Sequence, residues 1–227
     1  MRWISFPFLR KNINDLNGVN ILSEVSLKQL REKATIVIID DEDFPLQSSL
    51  EALGYKFTNK TGNADDTNIN DYIRYDMILC DISGVAHQID PQYEGAFLAS
   101  EIKKAYPEKI VISYTANGYR PDVYSFQRIL DGIVFKGQGI DEWTGLLDEK
   151  IKMLVDPKAQ WKRYRDRLLD EDVDINLVAS MESDYVKAVL RGDFTSFNKL
   201  YKDNRRLQKA IASMMGSLMV RILMSKI

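Results

Sequence analysis

Four places in this 227-residue chain put a chemically active residue directly after an apolar run of strand type. Asp40 and Asp41 follow TIVII, Asp81 follows MILC, Thr115 follows IVISY and Lys136 follows GIVF. In a parallel α/β sheet such stops line up along the carboxyl edge, where ligands bind. Three carboxylates, a hydroxyl and an ammonium would then converge on one crevice. Two carboxylates ~5 Å apart repel by about 3 kcal/mol at an effective dielectric of roughly 20, so three ionised together call for a cation between them. Oxygen ligands with room left for water favour Mg²⁺. A carboxylate that receives a phosphoryl group becomes an acyl phosphate. A metal ion, a lysine and a hydroxyl offset charge on the transferring group.

The elements that must position these residues alternate along the chain. SEVSLKQLREK reads as a helix with Ser23 or Ser26 as its N-cap. ATIVIID is a continuous apolar, β-branched run, the mark of a strand buried on both faces. LQSSLEALGY follows as a short helix behind Pro45 and is closed by Gly54. YKFT, DMILCDI, KIVISYT and DGIVFK supply four more strands. NINDYIRY, GAFLASEIKKAYP, RPDVYSFQRIL and IDEWTGLLDEKIKMLV supply the helices between and after them. This alternation predicts an α/β fold with a doubly wound, five-stranded parallel sheet and helices on both faces.

Beyond Asp156-Pro157 the pattern is all helix. WKRYRDRLL places Trp161, Tyr164, Arg165 and Leu168 on one stripe, and Leu177, Met181 and Tyr185 share another. Gly192-Asp193 breaks that second helix. One final helix, from about Arg205 to the end, carries Leu207, Ile211, Met214, Leu218 and Ile222, widened by Met215, Met219, Val220 and Leu223. So wide an apolar surface must be buried or must meet a partner. The predicted organisation is a helical extension over 1–33, an α/β domain over 34–156, and a helical interaction or dimerisation region over 157–227.

Composition narrows the class. An apolar fraction of 45% suffices for a core, and a net charge of −2 advertises no nucleic-acid partner, although the tail beyond 157 is mildly basic. The single cysteine, Cys80, lies in an apolar run and reads as a core residue, so a reducing, cytoplasmic setting is expected. The start MRWISFPFLRKN is too short in its apolar part for a signal peptide, and no run reaches the ~20 apolar residues of a membrane span. His87 reads as a solvated loop residue.

The segments VIIDDEDFPLQSSLEALGYKF, MILCDIS, ISYTA and GIVFKG, in that order, resemble the receiver domain of two-component response regulators, over roughly residues 34–155. The resemblance implies that Asp81 is the phosphoacceptor. It implies that Asp41 binds Mg²⁺ directly, Asp40 through water, and the backbone carbonyl of Ser83 completes the metal site. Thr115 would be the switch hydroxyl, with small Ala116 beside it, and Lys136 would pair with the phosphoryl oxygen. A histidine kinase or phosphotransfer protein would be the donor, and the tail would be the output, as a homodimer contact or a helical-partner contact through 205–227. Three positions depart from the family. The loop from Asp81 to Gly95 is longer and lacks the usual early proline, Gly137 stands where a proline is usual, and Ile133 stands where the switch aromatic often is.

Other readings compete. The chain could be a receiver-like scaffold that is never phosphorylated. Asp41-Glu42-Asp43 also has the nucleophile and general-acid spacing of haloacid-dehalogenase phosphatases, with Glu171-Asp172 in the helical tail as the downstream acidic candidate. A DNA-binding tail would need a compact helix-turn-helix with basic residues facing the groove.

Overall fold

The computed structural model describes residues 10–23, 25–116 and 121–225. The readings that fall on residues 1–9, 24, 117–120 and 226–227, including most of the leader segment and the start of RPDVYSFQRIL, lie outside them. Five strands, β1 (Ile36–Ile39), β2 (Phe57–Lys60), β3 (Met77–Asp81), β4 (Ile110–Thr115) and β5 (Gly132–Phe135), form one parallel sheet in the order β2-β1-β3-β4-β5. This is the flavodoxin-like order, with its topological switch between β1 and β3.

Strand alternation sorts the core into two layers. Val37, Ile39, Ile78, Cys80 and Val111 face one way and pack with Leu98, Ala99 and Ile102 of α3 (Glu94–Ala105). Ile36, Ile38, Met77, Leu79, Ile110, Ile112 and Tyr114 face the other way and pack with Trp143, Leu147 and Ile151 of α5 (Ile140–Leu154). A one-residue slip would exchange the layers, so register is strongly specified. On the α5 side, α1 (Leu27–Lys33) begins at Ser26, whose hydroxyl and Gln29 complete a capping box. Arg31 of α1 reaches Asp148 of α5 with two hydrogen bonds, at 2.8 and 2.6 Å, and the Tyr55 hydroxyl donates to the same carboxylate at 2.6 Å.

Two segments read as α-helix are tighter. Ile69–Arg74 is a 3-10 turn, and the helix expected after Arg120 is the four-residue α4 (Pro121–Tyr124) followed by a 3-10 turn over Ser125–Arg128. The short α2 (Gln47–Ala52) is as expected.

The tail is where expectation and structure differ most. Helices α6 (Pro157–Asp170) and α7 (Ile175–Arg191) start at Asp156 and Asp174, each capping two backbone N–H groups, and α7 ends at left-handed Gly192 as the sequence suggested. The stripe on α6 is Trp161, Tyr164, Arg167 and Leu168; Arg165 is on its margin. After α8 (Thr195–Tyr201), the single final helix is in fact two, α9 (Gln208–Gly216) and α10 (Leu218–Met224). Ser217 is extended (φ −64°, ψ 151°) and closes one while capping the other.

The broad apolar surface of these last helices is covered by the chain itself. Leu207, Ile211, Met214, Leu218 and Ile222 are all at most 2% exposed and belong to the same core as Ile36, Trp143 and Trp161. The basis for a dimer or helical-partner contact through 205–227 therefore falls away. The faces that wanted cover find it on the α5 side of the sheet. The same packing turns the buried faces of α9 and α10 inward and away from any DNA groove.

Carboxylates at the strand entries tie the tail to the sheet. Asp76, just before β3, accepts the N–H of Leu218 at 2.9 Å and pairs with Arg221. Glu108, before β4, takes Arg167 on both oxygens at 3.0 Å and the Ser213 hydroxyl. Asp131, before β5, holds Lys103 at 2.6 Å and Arg163 at 3.4 Å. The amino edge of the sheet is thus closed by the tail, and the carboxyl edge is left for chemistry.

Candidate acid site at the carboxyl edge

The strand register brings the active residues together. Ile39 is level with Cys80, so Asp40 and Asp81 come next on adjacent strands. Asp81 is level with Tyr114, and Thr115 with Phe135, so Lys136 emerges one step beyond Thr115 and donates its N–H to the Thr115 carbonyl at 2.8 Å. Asp40 (6% exposed) and Asp81 (5%) are buried, and Asp41 is exposed. One oxygen from each of the three lies within 4.8 Å of the others.

Lys136 is the centre of this arrangement. Its Nζ is 2.9 Å from Asp40 Oδ2 and 2.9 Å from Asp81 Oδ2. Two carboxylates share one ammonium. Burial, opposed by the Lys136 hydrogen bond and reinforced by the charge of Asp40, holds the Asp81 carboxyl above its ordinary value. Burial alone would lower Lys136, but its bonds to Asp40 and Asp81 outweigh that and raise it. Asp40 Oδ1 accepts the N–H of Glu42 at 3.0 Å, and Asp81 Oδ1 that of Ser83 at 3.3 Å.

A cleft of about 240 Å³ opens over these groups, lined by Asp41, Glu42, Asp81, Ser83, Gly84, Ala116 and Lys136. Ser83 and Ala116 thus both line the cleft that Asp81 and Lys136 share. Thr115 is almost buried at the end of β4. The donor set, hard carboxylate oxygens around an open cleft, fits Mg²⁺.

Three further residues shape the site, of which only Gly95 was named from sequence, as the end of the long loop. Gly84 (φ +80°) passes so close to Asp41 that a Cβ there would sit 2.4 Å from both carboxylate oxygens. Gly95 presses the start of α3 onto β3, and a Cβ there would fall 1.8 Å from the Asp81 carbonyl oxygen. The Tyr114 hydroxyl donates to Asp40 Oδ2 at 2.7 Å. Tyr114 left a signal: it is the aromatic in the strand run IVISYT, one residue before Thr115.

The remaining candidates are elsewhere. His87 pairs with Glu94 at 3.1 Å in the exposed part of the 82–93 loop. Cys80 is fully buried behind Asp81, and desolvation pushes its thiol well above the ordinary value, as for a core residue. Glu171 pairs with Arg167, which binds Glu108 before β4, so the acidic pair needed by a dehalogenase-type phosphatase lies at the opposite edge of the sheet.

No family model and no curated protein matches the chain. Solved structures similar to it include response regulators and their receiver domains. A CheY-like receiver domain protein from Methanospirillum hungatei is 21% identical, with 52% of this chain and 93% of that chain covered, at a TM-score of 0.41. A response regulator from Thermotoga maritima is 13% identical, covering 52% and 97%, at 0.42. A response regulator protein from Burkholderia pseudomallei, described with a phosphorylated aspartic acid, a calcium ion and citrate, is 13% identical, covering 64% and 90%, at 0.41. The fold stated above rests on strand order and register, and the rest of the chain is helical. Among the described residues, no helix is long and apolar enough to cross a membrane.

Proposed function

We propose that this chain is a response-regulator-type signalling protein of the cytoplasm that accepts a phosphoryl group on Asp81. The observation that carries this reading is Lys136 Nζ held 2.9 Å from both Asp40 and Asp81 beneath an open cleft that Asp41 also lines. A histidine kinase or phosphotransfer protein is the donor. An Asp81 carboxylate oxygen attacks phosphorus, the phosphorus–nitrogen bond to the donor imidazole breaks, and the imidazole leaves with the bonding pair. Lys136 then follows the negative charge from the carboxylate to the phosphoryl oxygens. Asp41, Asp81 and the Ser83 carbonyl, with Asp40 through water, would hold Mg²⁺, which would offset charge on those oxygens. Thr115, at the end of β4, would be the switch hydroxyl. On this reading the protein turns over no substrate of its own beyond gain and loss of the Asp81 phosphoryl group.

The output differs from that of a tethered domain. The helical region shares its core with the sheet, so a change at Asp81 reaches the tail through packing rather than through a linker. The test is intact mass after incubation with acetyl phosphate and Mg²⁺. A gain of one phosphoryl group in the wild type and none in Asp81→Asn supports the reading. No gain in the wild type, with the fold intact, leaves a receiver-like scaffold, a reading favoured by the way Lys136 already offsets part of the charge on Asp40 and Asp81 without a cation.

A further inference from the structure

Tyr114 is a tyrosine placed on a strand whose other inward residues are aliphatic. Its ring is 5.4 Å from Phe44 and 5.8 Å from Trp143, and those two rings are 5.1 Å apart, edge to face. All three side chains are almost completely buried, so the ring has no room to turn. The phenol rises from this aromatic seat to Asp40.

Asp40 has about four lone-pair sites. On Oδ2, one meets the Tyr114 hydroxyl at 2.7 Å and one meets Lys136 at 2.9 Å; on Oδ1, one meets the Glu42 N–H at 3.0 Å. Three donors from β4, from the residue after β5 and from the loop after β1 thus fix the carboxylate plane. One site, on Oδ1, is left over for a cation or its water.

We infer that Tyr114 is a positioning residue of the acid site: its hydroxyl locks Asp40 so that the remaining Oδ1 lone pair faces the cation. This rests on the reading that the cleft takes a divalent cation. Without the hydroxyl, the carboxylate keeps Lys136 on Oδ2 and the Glu42 N–H on Oδ1, so two donors in place of three hold its plane. Donors that orient a metal-site carboxylate typically change metal affinity by about 10–100-fold when removed. The phenol also stands over the Lys136 ammonium, 5.6 Å from ring centroid to Nζ, so the ring keeps that cation between Asp40 and Asp81.

The experiment is Mn²⁺ titration of the full chain, followed by the electron paramagnetic resonance signal of free Mn²⁺, with near-ultraviolet circular dichroism to report the aromatic seat. Wild type, Asp41→Asn, Tyr114→Phe, Asp40→Asn and the Tyr114→Phe/Asp40→Asn pair are compared. The expected result is binding in the wild type, loss in Asp41→Asn, and a Kd weakened about tenfold or more in Tyr114→Phe with an unchanged aromatic spectrum. In the Asp40→Asn background the Tyr114→Phe change should add less than twofold, because Tyr114 acts through Asp40. A Tyr114→Phe Kd within twofold of wild type overturns the inference while leaving the cation reading standing, and so does an undiminished Tyr114→Phe effect on top of Asp40→Asn. No binding in the wild type overturns both. If Tyr114→Phe does not fold, Phe44→Leu, which keeps the phenol but removes one wall of its seat, is read the same way: weakened affinity supports the inference and unchanged affinity overturns it.

Discussion

Replacing Arg167 by Met should unfold the sheet and the tail together, at a lower temperature than wild type. Arg167 and Glu108 side chains are 2% and 1% exposed, and the guanidinium meets both carboxylate oxygens at 3.0 Å. At an effective dielectric of roughly 20, charges ~3 Å apart attract by about 5.5 kcal/mol. Losing one partner of a buried pair costs about 3–5 kcal/mol, because the other charge stays buried and unpaired. The Ser213 hydroxyl remains on Glu108 and offsets part of the loss, so about 3 kcal/mol is the better figure. In a chain of this size each kcal/mol moves Tm by about 2–4 °C, which gives a drop of roughly 6–12 °C. Pairing the change with Glu108→Gln removes the orphaned charge and should restore most of the loss. Glu171→Ala, which removes the partner on the solvent side (41% exposed), should cost under about 1 kcal/mol. Calorimetry gives Tm, and urea unfolding followed by tryptophan fluorescence and circular dichroism gives the free energy. A single transition is expected by both probes, since Trp143 and Trp161 lie in one core. A loss below about 1 kcal/mol, or a tail that melts separately from an unaffected sheet, would refute the reasoning.

Burial works against Asp148, but its hydrogen bonds from Arg31 and Tyr55 outweigh it and hold its carboxyl below the ordinary value. The stability this gives is present above the ordinary carboxylate range and is lost as pH falls through the depressed value. Asp148→Asn should therefore cost about 1.5–3 kcal/mol at neutral pH, and urea midpoints should converge with wild type in acid; a pH-independent difference would contradict this. Lys136→Ala leaves Asp40 and Asp81 without their shared ammonium, so thermal scans should show a less stable cation-free protein that gains more from Mg²⁺ than wild type does, while acetyl phosphate labelling of Asp81 slows. An equal Mg²⁺ effect in both would mean that the cation binds elsewhere. Gly95→Ala should destabilise the fold and disorder the site, since its Cβ would fall 1.8 Å from the Asp81 carbonyl oxygen; a melting temperature and labelling rate equal to wild type would show that α3 can shift freely.

Much of the sheet and of the acid site was legible in the residues. Continuous β-branched runs such as IVII can be buried only between two layers, which makes a parallel sheet the economical solution. A polar residue at the end of each run must then fall at the carboxyl edge, because parallel strands all end on the same side. That reasoning reached Asp40, Asp41, Asp81, Thr115 and Lys136 without coordinates. It reached the change to helix at Asp156-Pro157 and the break at Gly192 because those depend on neighbours in sequence alone.

What the sequence could not decide is what depends on partners far away along the chain. The apolar face of the last helices demands cover, but hydrophobic pattern is blind to whether the cover is another molecule or the chain's own sheet. Only the packed structure shows Leu218 and Ile222 sharing a core with Ile36 and Trp143. The break at Ser217 is likewise settled at long range, where Asp76, 142 residues away from Leu218 in sequence, takes that residue's N–H and receives α10 beneath the sheet. Tyr114 reads as a core aromatic until the register sets it beside Asp81 and its hydroxyl on Asp40. Periodicity fixes which face a side chain points to, whereas the identity of what it meets there is a tertiary fact, because contact between distant segments follows from the fold and not from local spacing.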